Sequence, residues 1–153
     1  MNFKKLLKSK SREAFTLMQT NHPAEQFYTM VLMTSNEMSY LYPTGNILKD
    51  DCYDSAKWNV GDWSVFDGKE LFKEVNELIR SESIDSETLI DTSIEVLREL
   101  KEEGIFSRNQ DSGSVYINLV FPEQYNEDLL YNAEKVNSNK LIERLKLEWS
   151  END

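Results

Sequence analysis

The chain is expected to fold as α+β: a small, mainly antiparallel sheet with helices packed on it, in one domain over residues 1–153. Three observations predict this. Four segments place apolar residues at helical spacing. Two short runs, Phe27–Met33 and Val115–Phe121, are almost wholly apolar and bounded by turn residues, as strands buried on both faces are. No internal repeat or low-complexity linker divides the chain.

In the first segment Phe3, Leu6, Leu7, Ala14, Phe15 and Met18 share one helical face, and basic residues occupy the other. Asn21-His22-Pro23 ends this helix, because proline disfavours helix at the residue before it. The chain thus divides into an N-terminal amphipathic helix, 1–22, and an acidic α+β body, 23–153. Phe27–Met33 is the first strand. Ser35-Asn36-Glu37 turns it into a second, Met38–Tyr42, which Pro43-Thr44-Gly45-Asn46 is expected to end. Residues 46–57 carry no clear periodicity. A helix from Lys69 to Arg80 buries Leu71, Phe72, Val75, Leu78 and Ile79, with Asp67 and Glu70 spaced as a capping box and Phe66 and Leu71 as a hydrophobic staple.

Asp85 is placed to N-cap the next helix, Ser86–Glu103, whose apolar stripe is Ile90, Ile94, Leu97 and Leu100. Gly104 suits the left-handed residue that closes it, followed by Ile105. Val115–Phe121 is a strand halted by Pro122, and 105–108 is expected to pair with it across a turn. A last helix, Asn139–Trp149, uses Leu141, Ile142, Leu145 and Trp149.

Composition narrows the function classes. Hydrophobic residues at 39%, charged at 29% and aromatics at 11% suit a soluble globular protein and argue against disorder. No apolar run approaches the ~20 residues of a membrane span, and the N-terminus lacks the apolar core of a secretory signal. Cys52 is the single cysteine, so no internal disulfide forms and a cytoplasmic setting is expected. The net charge is −11, and it is uneven. Residues 1–13 hold Lys4, Lys5, Lys8, Lys10 and Arg12 against Glu13, leaving −15 on the rest. Such a body repels nucleic acid and anionic membranes and attracts basic partners.

The chemistry-bearing motifs are sparse. The most distinctive is Trp58-Asn59-Val60-Gly61-Asp62-Trp63. With Asn59 as N-cap, Trp58 and Trp63 fall at staple positions and Asp62 at the capping-box position. The same residues, with Tyr53 and the neighbouring Tyr40 and Tyr42, are candidate anchors for a partner, since Trp and Tyr dominate interface energetics. Tyr53, Trp58, Asp62 and Trp63 are the candidate partner-binding set. His22 stands alone as histidine and sits at a helix end, and no Gly-x-Ser-x-Gly nucleophile pattern exists. Cys52 lies among aspartates that disfavour its thiolate. Asp50, Asp51 and Asp54 lack the EF-hand frame, one cysteine and one histidine argue strongly against a zinc site, and the five glycines form no phosphate loop. No catalytic residue, metal or cofactor is assigned. Leu97–Phe106 followed by a turn and strand mimics a winged-helix DNA binder, but its helix is dominated by Glu and Asp.

His22-Pro23, the strand Phe27–Met33, the Lys57–Trp63 block, the helix end Leu97-x-x-Leu100-x-x-x-Gly104-Ile105-Phe106 and the strand Val115–Phe121, in that order, resemble the bacterial domain of unknown function 4303. That resemblance implies an α+β bacterial domain and carries no catalytic residues. Length, acidity and the central tryptophan are more loosely similar to the SUKH superfamily, whose members often serve as immunity proteins. The leading expectation is a non-enzymatic protein-binding domain that neutralises a basic toxin. The alternatives are a metal-dependent hydrolase built on Asp50, Asp51, Asp54 and Asp62, and a structural homodimer subunit.

Overall fold

A computed structural model describes residues 2–35, 37–47, 63, 65–107, 115–121 and 127–151. Helix α1 (Phe3–Asn21) leads into strands β1 (Phe27–Thr34) and β2 (Leu41–Ile47). A 3-10 turn (Lys69–Phe72) runs into α2 (Lys73–Ser81), followed by α3 (Ser86–Glu102), a second 3-10 turn (Ile105–Ser107) and strand β3 (Leu119–Val120). Helices α4 (Glu127–Val136) and α5 (Asn139–Glu151) complete the described chain.

Strand β1 is the centre of a three-stranded sheet in the order β2-β1-β3. All eight of its residues are buried, as its apolar run predicts. One face, with Met30 and Leu32, packs on Leu7 and Phe15 of α1, Phe72 of the first 3-10 turn and Leu97 of α3. The opposite face, with Tyr28, Val31 and Met33, packs on Trp63, Ala133 of α4, and Leu141, Ile142 and Leu145 of α5. The result is three layers: helices, sheet, helices. This is the α+β class expected, with a mixed sheet: β1–β2 is antiparallel and β1–β3 is parallel.

Several local expectations need correcting. The second strand spans Leu41–Ile47, so Pro43 and Gly45 lie inside it and do not end it. The reason is the edge position of β2. Gly45 turns its N–H and C=O outward to Val65, so Pro43, two residues earlier and paired with Leu32, also faces outward and costs no ladder bond. Gly45 is required by close approach: a Cβ there would lie 2.8 Å from the Thr29 carbonyl oxygen. The Asp67–Glu70 capping box does not form. Gly68, at φ +88°, is the N-cap with no side-chain bond, and Phe66 is exposed. Residues 105–107 form a 3-10 turn in place of a strand, held by Gln19, whose Nε2 donates to the Ile105 carbonyl at 2.7 Å. The run 115–121 contributes only two ladder residues, although Met30 and Leu32 donate to the Tyr116 and Asn118 carbonyls, extending the parallel contact.

Other local signals match. Asp85 caps α3 by accepting from the Thr88 N–H at 2.7 Å, and Gly104 adopts φ +80° beyond its end. Helix α1 stops at His22, and α5 begins at Asn139. The Trp149 side chain lies outside what the structure describes.

Both sheet edges are closed by asparagine. Asn76 of α2 accepts from the Leu41 N–H at 2.7 Å and donates to its carbonyl at 3.0 Å. Asn137, just beyond α4, does the same to Ile117 at 3.0 and 2.7 Å. A carboxamide has the donor and acceptor of a peptide group, so each acts as a one-residue strand. Open edges invite strand addition from another chain.

Candidate functional site

Trp63 is the described member of the candidate partner-binding set; Tyr53, Trp58 and Asp62 lie outside the described residues, as do Asp50, Asp51, Cys52 and Asp54. The Trp63 side chain is 3% exposed and belongs to the core between the sheet and α5. Its indole is a packing element of that core.

The basic face of α1 is turned inward on the protein's own acid. Lys4 Nζ lies 2.7 Å from both Glu95 and Glu99, Lys8 lies 2.8 Å from Glu99 and 3.1 Å from Glu103, and Arg12 donates twice to Glu103 at 3.0 Å. Positions four apart on α1 meet positions four apart on α3, which requires the two helices to run in the same direction. Hydrogen bonds from Lys4 and Lys8 hold the Glu99 carboxyl down at about 2. The acidic face that argued against DNA binding is therefore partly consumed within the fold, and so are most cations of residues 1–13.

What stays uncompensated lies further along. Glu77, Glu82, Asp85, Glu87 and Asp91 are exposed, with Arg80 the sole basic residue between 77 and 91. None of the five makes an ion pair among the described residues. They surround the α2–α3 corner and form an exposed patch of negative charge there.

His22, expected only to turn the chain, also fastens it. Its Nε2 donates to Asp67 at 3.1 Å, Asn21 donates to the same carboxylate at 2.7 Å, and the ring stands edge-on to Phe27. Partial burial raises Asp67, but these two donors outweigh it and hold the carboxyl below its ordinary range. The cluster ties the end of α1 to the turn before α2, and two saturated donors make it structural.

The third feature is aromatic. Tyr40 and Tyr42 stack with ring centres 5.6 Å apart and planes inclined by 15°, and Tyr42 meets Phe66 at 6.1 Å. Lys69 Nζ sits 4.9 Å from the Tyr42 ring centre and 5.7 Å from that of Phe66. Tyr40 and Phe66 are 37% and 40% exposed. These groups, with Glu70, Lys73 and Asn76, line a surface cavity of about 450 Å³. Burial and the neighbouring Tyr40 push the Tyr42 phenol up, so it stays neutral, and its hydroxyl donates to Met33 Sδ. Sequence reasoning noted the two tyrosines only as neighbours of the tryptophan block. Their i, i+2 spacing on a strand was the available signal.

Among the described residues no group of three His, Cys, Asp or Glu side chains could hold a metal, and no helix is long and apolar enough to cross a membrane. A family model described as a domain of unknown function, DUF4303, matches residues 7–138. The chain belongs to the DUF4303 family. No curated protein and no solved structure matches it. The DUF4303 match runs from Leu7 in α1 through α4 and so takes in the Lys8 and Arg12 rungs of the ion-pair ladder, the sheet and the tyrosine cavity.

Proposed function

We propose that this DUF4303 chain is a non-enzymatic protein-binding domain whose partner is basic, and that its role is to neutralise a toxin. One observation carries the reading: Glu77, Glu82, Asp85, Glu87 and Asp91 stand exposed at the α2–α3 corner with no ion pair among the described residues, while Lys4, Lys8 and Arg12 of α1 are spent on Glu95, Glu99 and Glu103. Unpaired like charges on one surface raise the encounter rate with an oppositely charged partner. The fold gives this surface a rigid base, because Asp85 caps α3 and α2 is pinned to the sheet through Asn76.

The test is co-expression. Cells producing a basic toxin encoded beside this chain's gene are expected to survive when the chain is present. They are expected to die when Glu77, Glu82 and Glu87 are all changed to Lys. Survival with that triple variant, or death with the unaltered chain, contradicts the proposal.

A further inference from the structure

We propose that the cavity beside Tyr40 and Tyr42 binds a nucleotide-sized organic anion, a planar amino-bearing ring joined to a phosphate. Its volume of about 450 Å³ falls in the range of small-molecule sites.

Each part of the ligand answers to a wall of the cavity. Tyr40 stacks on Tyr42 through one face and is 37% exposed, which leaves ring surface for a third planar group to extend the stack. Lys69 and Lys73 stand four residues apart on the next wall, both exposed, and neither meets a carboxylate among the described residues. Lys4, Lys8, Lys10 and Arg12, by contrast, are engaged by acid partners on neighbouring helices. Two unpaired ammonium groups suit a phosphate, for which lysine acts as a point charge. Lys69 already lies against the Tyr42 and Phe66 rings, which hold its stem beside the stack. Glu70 is the cavity's one carboxylate. It would repel a bare anion but accepts from a ring amine, which selects an amino-bearing base over inorganic phosphate.

The floor is rigid. Asn76 spends its donor and acceptor on Leu41, and the Tyr42 hydroxyl is spent on Met33, so neither competes for the ligand. Little ordering cost then falls on binding.

The experiment is a calorimetric and NMR titration of the full chain with AMP, using adenosine and inorganic phosphate as partial probes. AMP is expected to saturate, with shifts centred on Tyr40, Tyr42 and Lys69. Adenosine and phosphate are each expected to bind at least about 10-fold more weakly, since adenosine lacks the charge contact and phosphate lacks the stacking. Replacing both lysines, Lys69→Ala with Lys73→Ala, is expected to weaken AMP about 10-fold without moving adenosine. Both side chains are exposed, so an unchanged circular dichroism spectrum confirms that the variant is folded. Tyr40→Ala is expected to weaken both AMP and adenosine. Absence of saturation by AMP, or equal AMP affinity in the double lysine variant, overturns the proposal.

Discussion

Asn137 holds Ile117 by both halves of its peptide unit, accepting from the N–H at 3.0 Å and donating to the carbonyl at 2.7 Å. Its amide also donates to the Ala133 carbonyl at 2.9 Å, and the side chain is buried. Truncation strands both Ile117 backbone groups, while the Ala133 carbonyl keeps the Asn137 N–H at 3.0 Å. Asn137→Ala is expected to lower stability by about 2–4 kcal/mol, since each buried unsatisfied group costs about 1–3. Asn137→Asp is expected to cost nearly as much, because it loses both donated bonds. Urea denaturation read by circular dichroism measures both.

Asn76 has the same grip on Leu41 at the opposite edge, but it is only half-buried. Water can replace its bonds, so Asn76→Ala is expected to cost less, about 1–2 kcal/mol. The more telling effect is on association. With Pro43 and Val65 still guarding the rest of β2, one peptide of the edge becomes free to pair. Light scattering at rising concentration is expected to show more self-association in Asn76→Ala than in the unaltered chain, and none in Asn76→Gln if the longer amide restores the bracket.

Glu99 links Lys4 and Lys8, and its carboxyl is held at about 2 against an ordinary 4.5. A carboxylate depressed in the folded state contributes stability above its unfolded value, and that contribution is lost as pH falls through the folded one. Glu99 therefore supports the fold above about pH 4.5 and ceases to between 4.5 and 2. Glu99→Gln is expected to flatten the acid limb of the stability curve in that window. Solvent and salt screen the pairs, so the difference should shrink at high ionic strength. Titrating stability against pH for both proteins, at low and high salt, checks this.

Gly68 combines a left-handed backbone with contact against α1. At φ +88°, its Cβ would lie 2.6 Å from that of Ala14. Gly68→Ala is expected to cost about 2 kcal/mol or more, of which the conformational part is about 1–2. Thermal unfolding of this variant beside Gly45→Ala compares a strained turn with a crowded strand.

Trp63→Ala opens a hole in the core between the sheet and α5. A loss of about 3–5 kcal/mol is expected. Trp63→Phe should retain most of the stability and all of any partner binding.

The local patterns were readable because they are written in neighbouring residues. Phe3 to Met18 gives α1, Asp85 gives a cap and Gly104 a helix end. Strand β1 was legible from its unbroken apolar run. Strand β2 was not, because Pro43 and Gly45 stop a central strand yet serve an edge one, and edge position is a property of the whole sheet. The parallel direction of β3 depends on a crossover from β1 through two helices, which no local signal carries. Helix α4 went unread. The α1–α3 ladder was present as matched spacing, Lys4-Lys8-Arg12 against Glu95-Glu99-Glu103, but charge totals hide such pairing. Of the candidate site, Trp63 is legible as an organising residue, and its burial, which sequence spacing does not carry, places the indole in the core.

The exposed carboxylates at the α2–α3 corner are proposed to steer a basic partner. Stopped-flow association with the basic protein encoded beside this chain's gene tests that most directly. The rate constant is expected to fall at least about 10-fold between low and high salt, and by a similar factor when Glu77, Glu82 and Glu87 become Lys, as steered encounters do. An association rate indifferent to both salt and charge reversal contradicts it.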